Sequence, residues 1–366
     1  MIEYIECRGT NLNIIGIIRN LKSIVWQIDY TNKGAFEVIV PFTAERFEWL
    51  QPDNFITRTD REELGIIESV EIGWEVGKGQ TIKASGAFGL TFLDRRVHCF
   101  TFGTYRGRTY HIPANQSIEN LCRTIVTANL INPSFERRKV SFIQLGSLSG
   151  ETTDYSVATL STYMNALELT RELLAPSPYP SKRFGQRMRF DREQLKLNYE
   201  VFNGRKTNII FSQEYKNLLS FNYSIDKELY KSLFVIAGSG DGKDRFYTYV
   251  DREQIVTGLT DREFVYEAEA TQTYTDENGT DVTLSNSDYA SILKDECISK
   301  FPEHYTAIKV SGNVDLSRLE YGTNYTVGDL VTIRDTLSGI ETPARIWSVT
   351  ESQQEDYQIT ANFEGE

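Results

Sequence analysis

Between residues 69 and 76 the chain alternates without a break: Val70, Ile72, Trp74 and Val76 stand between Ser69, Glu71, Gly73 and Glu75. A period of two puts the four apolar side chains on one side of a strand, so the pattern predicts a strand with one buried face. Gly77-Lys78-Gly79 then turns the chain, and Ile82 and Ala84 resume the alternation between Thr81, Lys83 and Ser85, which predicts a hairpin. Phe36 to Val40 predicts another strand, ended by Pro41, which has no amide hydrogen to give to a ladder.

After about residue 100 the period lengthens. Ile118, Leu121, Cys122, Ile125 and Val126 recur at helical spacing and predict a helix that Pro133 prevents from continuing. Val157, Leu160, Met164, Leu167 and Leu174 form a second stripe, closed by Pro176. Plain aliphatic stripes of this kind predict helices packed on a sheet. From Leu195 strands return: Leu197 to Phe202, Asn208 to Phe211, Leu218 to Tyr223, Leu233 to Ala237 and Phe246 to Val250. Asn278-Gly279, between Thr271–Thr275 and Val282–Leu284, predicts a hairpin turn because both residues tolerate positive φ. One more helix is expected after Ser285: Ser285-x-x-Asp288 resembles a capping box, and Tyr289, Ile292, Leu293 and Cys297 form a stripe before Pro302. The C-terminal segment predicts strands at 331–333, 345–349 and 357–363, for which a small closed or nearly closed sheet is the economical solution.

A chain of 366 residues has room for two or three domains with cores of their own, and its 20 Tyr and 20 Phe favour strands. Lys plus Arg number 39 against 51 Asp plus Glu, a net charge of −12 that argues against a general nucleic-acid binder. No apolar run approaches the ~18 residues of a membrane span, and no basic start precedes an apolar stretch, so a soluble chain without an export signal is expected. Cys7, Cys99, Cys122 and Cys297 lie far apart with no CxxC pair, which predicts buried free thiols rather than a disulfide framework or a zinc site. One segment departs from the acidic balance: Pro176, Pro178 and Pro180 precede Lys182, Arg183, Arg187, Arg189 and Arg192. It predicts an exposed loop leading into a strand, either a contact for an acidic partner or nucleic-acid backbone, or a solvated basic edge that discourages aggregation.

Catalytic motifs are missing. His98, His111 and His304 form no HxxxH or HExxH pair. Gly146-Ser147-Leu148-Ser149-Gly150 carries Leu148 where a nucleophile elbow needs serine. Gly238-Ser239-Gly240-Asp241-Gly242-Lys243 has the glycines of a phosphate loop, yet Ala237 and Asp244 stand where GxxxxGK[ST] needs Gly and Ser or Thr. A strand-like segment follows it, so a hairpin loop is expected there. Asp276-Glu277-Asn278-Gly279 lacks the glycine and glutamate positions of a calcium loop. The Asp-Arg-Glu tetrads at Asp60, Asp191 and Asp251, with a near copy at Asp261, have no period and fit turn-forming aspartates. No catalytic, cofactor-binding or metal-binding residue is assigned, no cofactor is implied, and no enzyme is expected.

The order of segments is more specific than any one motif. Val40-Pro41-Phe42 is followed by Gly65-Ile66-Ile67-Glu68, a hairpin, and Gly86-x-x-Gly89-x-x-x-Leu93-x-Arg95. Phe211-Ser212, Asn217-Leu218 and Val235-Ile236-Ala237-Gly238 come next. Tyr325-x-Val327-Gly328-Asp329-Leu330-Val331-Thr332-Ile333 and Ala344-Arg345-Ile346-Trp347-Ser348-Val349-Thr350-Glu351 precede a closing strand. Over nearly the whole chain this series resembles the baseplate hub, or tail-tip, proteins of long-tailed bacteriophages, especially siphophages of Gram-positive hosts; residues 97–205 match mainly in their helices.

The resemblance implies a mainly β chain with an α+β part: two small tube-forming β-barrels, an α/β domain between them and a small helix-bearing insertion. It places the first barrel at 1–100, the α/β peripheral domain at 101–199, the second barrel at 200–260 and 305–366, and the insertion at 261–304. It implies a structural hub: a homotrimer whose paired barrels adapt a sixfold tail tube to threefold tip components and form part of the DNA exit channel. Implied partners are the distal tail protein ring, the tape-measure protein C-terminus and a tail fibre or receptor-binding protein, with genomic DNA only in transit. The implied place is the virion tail tip, after synthesis in the host cytoplasm. A net negative chain suits such a conduit, because lumen carboxylates repel phosphates. Two alternatives stand beside it, a host-surface carbohydrate-binding tail protein and a tail-associated peptidoglycan or glycan hydrolase.

Overall fold

The computed structural model describes all residues except 1, 78, 99–103, 107–108, 112–116, 151–158, 162–163, 175–183, 253–259, 276–279, 299–303, 305, 316–318 and 366. One thirteen-stranded sheet organises the chain. Seven strands come from its first part: β1 (Ile5–Arg8), β2 (Ile14–Ile18), β3 (Ser23–Asp29), β4 (Ala35–Pro41), β5 (Phe55–Thr57), β6 (Leu64–Glu75) and β7 (Gly79–Phe88). Six come from later: β8 (Lys206–Ser212), β9 (Asn222–Asp226), β10 (Ala307–Val314), β11 (Leu330–Asp335), β12 (Ile340–Gln353) and β13 (Tyr357–Gly365). The spatial order is β9-β10-β13-β12-β3-β4-β7-β6-β5-β1-β2, with β11 also on β12 and β8 on β11.

The two parts repeat one pairing scheme. β6 and β7 form a hairpin, as do β12 and β13. Each hairpin has a bulge at the same place, between Ile67 and Ser69 in one and between Ile346 and Ser348 in the other. β5 and β11 flank the starts of β6 and β12; β4 and β10 flank β7 and β13; β3 and β9 flank β4 and β10. The halves join where β12 pairs with β3, from Ser348 opposite Asp29 to Gln353 opposite Ile24.

This junction explains why the expected closed barrels are not found: among the described residues the sheet is open. The long β12 gives residues 340–345 of one edge to β11 and residues 348–353 of the same edge to β3, so the edge that could close one half joins the other instead. The fold is mainly β with an α+β part, as expected. One side of the sheet carries the cores: Ile24, Trp26, Phe36, Val38, Ile82 and Ala84 in the first half, Val331, Ile346, Val349, Ile359, Ala361 and Phe363 in the second.

Two further cores sit beside the sheet. Helices α1 (Ile118–Val126) and α2 (Ala166–Leu174) bury their stripes against a three-stranded sheet of 143–145, Gly185–Asp191 and Lys196–Phe202, and against Leu64, Ile66 and Leu90 of the first half. Strands Leu233–Ala237, Tyr247–Asp251 and Glu263–Glu267 form a separate sheet, on which helix α3 (Asn286–Ile298) packs Tyr289, Leu293 and Cys297. Ser285 caps α3 as expected, with the Asp288 amide donating to Ser285 Oγ at 3.2 Å and the Ser285 hydroxyl donating to Asp288 Oδ2 at 2.7 Å. Ile292, expected in the stripe, is 42% exposed.

Three local expectations are corrected. The hairpin at 64–88 forms, but Ile72, Trp74 and Val76 are 45%, 72% and 80% exposed, because this end of β6 overhangs the core beneath it. The second helix starts only at Ala166, and Thr159–Ser161 and Met164–Asn165 are strands. Asn165 Oδ1 accepts the amides of Leu167 and Glu168, which caps the helix and stops it from extending back. The strand expected from Leu218 begins at Asn222, because the Asn217 side chain bonds back to Ile210 and Ser212 and holds a turn there. Val157 and the Asn278-Gly279 turn lie outside the described residues, although 273–275 and 281–283 do pair as a hairpin.

Candidate functional site

Among the described residues no group of His, Cys, Asp and Glu could hold a metal ion. His98 is buried with its Nδ1 2.9 Å from Asn129 Nδ2, and burial, with Arg138 nearby, pushes its pKa down to about 4. His304 packs against the rings of Phe234 and Phe264. Cys7, Cys122 and Cys297 are buried free thiols, pushed up to about 12 by burial. None of these groups is placed for nucleophilic or acid–base work. His111 lies in the short strand Thr109–His111; its side chain and Cys99 fall outside the described residues.

The loops that carried chemical motifs are tied to structure. Arg123 donates to the carbonyls of Gly146 and Ser147, while the Ser149 amide and hydroxyl donate to Glu119, so 146–150 is strapped onto α1. Segment 238–243 turns between antiparallel strands, as the hairpin expectation has it, and Tyr289 Oη accepts the Ser239 amide at 2.8 Å. Arg187 pairs with Glu200, Arg189 with Glu62, and Arg192 with Glu6, so the described part of the basic segment is neutralised within the chain. Pro176, Pro178, Pro180, Lys182 and Arg183 lie outside the described residues. Asp191 Oδ1 accepts the amides of Glu193 and Gln194, the turn role expected of that tetrad.

The buried charges gather instead at the junction of the halves. Glu351 on β12 is fully buried and accepts from Arg61 Nε and Nη2, both at 2.7 Å, from Arg58 Nη1 and Nη2 at 3.2 and 3.1 Å, and from the Tyr357 hydroxyl. Burial opposes its ionisation, yet the Arg58 and Arg61 guanidiniums hold it below the usual carboxylate range. Asp60 takes the other side of Arg58 at 2.6 Å. The guanidiniums lie over aromatic rings, Arg58 5.5 Å from Trp26 and Arg61 5.0 Å from Tyr321. A second cluster joins Glu6 to Arg8 and Arg192 at 2.6 Å each and to Thr57 at 2.9 Å, binding β1 and β5 to the strand pair of the middle segment. Both clusters lock parts of the chain together.

The side of the sheet opposite the cores is covered by the middle segment at Leu64 and Ile66, and elsewhere carries two polar rows that run across both halves. Following cross-strand neighbours, one row reads Gln358, Ser352, Val25, Glu37, Ser85 and Ser69. The next reads Asn313, Thr360, Thr350 and Gln27. A shallow cleft of about 490 Å³ lies on this face, lined in part by Gln27, Glu37, Ser69 and Ser85. Hydroxyls and amides dominate these two rows, and Lys83 beside them is paired with Glu37 at 2.7 Å.

This arrangement is a phage tail protein fold. The 43 kDa tail protein of prophage MuSo2 from Shewanella oneidensis matches with a TM-score of 0.58 at 13% identity, over 99% of this chain and 97% of that one. A tail protein from Neisseria meningitidis MC58 matches with a TM-score of 0.56 at 10% identity, over 99% and 96%. The prophage tail protein gp18 from Listeria monocytogenes EGD-e matches with a TM-score of 0.51 at 12% identity, over 98% and 94%. Residues 5–363 match the family of the siphovirus ReqiPepy6 Gp37-like protein, and the chain belongs to that family. Comparison with curated proteins yields no match. The expected kinship with phage tail proteins is thereby borne out.

Proposed function

We propose that the chain is the structural hub of a phage tail tip, a homotrimeric ring that adapts a sixfold tail tube to threefold tip components and forms part of the DNA exit channel. The observation that carries this is the duplication within one sheet: three copies of a chain holding two equivalent units present six similar units to the tube and three identical chains to the tip. The polar rows across the sheet suit a channel wall along which DNA slides without sticking. The ring would meet the distal tail protein and the tape-measure C-terminus on one side and a fibre or receptor-binding protein on the other, at the tail tip of the virion.

We divide the chain into a first tube unit at 1–100, the α/β segment at 101–199, a second tube unit from 200–260 and 305–366, and an insertion at 261–304. The sheet of 233–251 with 263–267 favours counting those earlier strands with the insertion. No catalytic role is proposed. Purified protein should scatter light as a particle near three times 41.9 kDa, with a central hole in negative stain. A monomer in solution together with no ring in intact particles would sink the proposal.

A further inference from the structure

The duplicated halves leave two strand edges in unequal situations. In the second half, the edge of β12 beyond its bulge is occupied by β3 of the same chain. In the first half, the corresponding edge of β6, Ser69 to Glu75, has no strand beside it among the described residues, since β5 stops opposite Ile66. β3 likewise has a counterpart. Trp26 lies beside Phe36, Phe36 beside Gly86 and Gly86 beside Ile67. In the second half Tyr223 lies beside Val310, Val310 beside Phe363 and Phe363 beside Ile346. Tyr223 of β9 therefore corresponds to Trp26 of β3, Ile225 to Ile28 and Asp226 to Asp29. Among the described residues β9 pairs only with β10, so its outer edge has no strand beside it there either.

We propose that the outer edge of β6 receives β9 of a second copy of this chain, in the register that β12 and β3 use within one chain. This deepens the ring proposed above and rests on it for closure at three, while the contact itself stands on the duplication. The transferred register sets Ser69 opposite Asp226, Val70 opposite Ile225, Ile72 opposite Tyr223 and Trp74 opposite Phe221. All three apolar pairs fall on the core side of the sheet, and each contains a residue that the single chain leaves exposed: Ile72 at 45%, Trp74 at 72% and Ile225 at 57%, while Val70, Tyr223 and Phe221 are partly buried. The equivalent pairs inside the chain are Val349 with Ile28, Glu351 with Trp26 and Gln353 with Ile24, and Val349, Glu351, Trp26 and Ile24 are fully buried there. An apolar strand edge without a guarding proline, bulge or inward charge is a template for another strand. At the ladder's end the Tyr30 amide donates to the bulge carbonyl of Trp347 at 2.9 Å. The equivalent pair across copies is Lys227 with Glu68, which adds opposite charges. Because the two edges differ, the contact is head-to-tail and propagates around a ring.

Chains carrying Val70→Cys and Ile225→Cys are purified separately, mixed and oxidised. A disulfide-linked dimer is expected in the mixture and not from either chain alone. Cross-linking by Val70→Cys alone, or an equal yield when Leu337→Cys replaces Ile225→Cys, overturns the proposal, since Leu337 is 89% exposed and lies off both edges. Ile72→Lys provides a second readout. It is expected to abolish the assembled species in light scattering while the circular dichroism of the folded chain is kept, and Leu337→Lys is expected to leave the mass unchanged. A wild-type assembly that survives Ile72→Lys and gives no cross-link overturns this contact and leaves the ring standing. A wild type that is monomeric at every concentration, in which the mixed cysteines never link, overturns both.

Discussion

Glu351 shows at the scale of one residue how the two halves are held. Its carboxylate is out of water, and two guanidiniums and a phenol supply what water would have given. Removing one partner of such a buried set leaves the others uncompensated, at a cost of about 3–5 kcal/mol. Glu351→Gln, which keeps the shape and loses the charge, is expected to lower the urea midpoint by a corresponding amount, with an unchanged slope if the unfolded state is unaffected. The same group makes stability depend on acid. Its folded pKa lies below the unfolded 4.5, so its contribution is complete above 4.5 and is lost as the pH falls through the folded value. His98 adds in the same direction: lowered from 6.5 to about 4, it favours the folded state fully above 6.5 and progressively less as the pH falls toward 4. Thermal melts from pH 7 down to pH 3 are expected to show a falling midpoint, with the early part of the fall removed by His98→Phe.

At the scale of elements, the segment Val327 to Ile333 has a clear physical role. Gly328 has φ +93 and its carbonyl is approached by Gly204, where an added Cβ would stand 1.6 Å from that oxygen. Asp329, fully buried, accepts the Arg205 amide at 2.9 Å and the Thr326 amide at 3.1 Å. Together these set β8 parallel to β11, a pairing that needs a tight backbone crossing at its start. Gly204→Ala forces that crossing apart and is expected to destabilise by at least ~1–3 kcal/mol, read as a lower denaturant midpoint. Helix α3 is set by its first turn. Ser285→Ala removes the acceptor for the Asp288 amide and is expected to cost ~1 kcal/mol, measured as faster amide exchange over 286–290.

For the whole molecule, the shared sheet makes the two halves one cooperative body. The pairing of β12 with β3 runs over six residue pairs and carries the buried charges with it, so neither half can open without exposing Glu351. The small sheet that carries α3 differs: its buried core is Phe234, Ile236, Tyr289, Leu293 and Cys297 and is separate from the cores of the large sheet. Native-state hydrogen exchange is expected to show 233–237 and 286–298 opening at lower free energy than β3, β4, β12 and β13. A single exchange class across both regions would mean that the small sheet is braced by the large one. Such independence would suit a peripheral module on the proposed ring.

Most strands and the helix stripes were legible in the chain because they depend on local period: Leu233–Ala237, Ile118–Val126 and the Ser285 cap lie where periodicity and capping chemistry put them. The side that each strand buries was not wholly so, as Val70, Ile72 and Trp74 show: alternation marks a face that wants cover, and only the pairing decides whether this chain or another covers it. Ile67-Glu68-Ser69-Val70 and Ile346-Trp347-Ser348-Val349 share three letters in four, a likeness too short to read until the two bulges stand in equivalent ladders. Glu351 and Arg58 stand 293 residues apart, and no local pattern ties them. Period and turn chemistry act over a few residues and are written in the sequence itself; strand partnership, sheet openness and buried charge pairing are contacts between distant segments, so only the tertiary structure decided them.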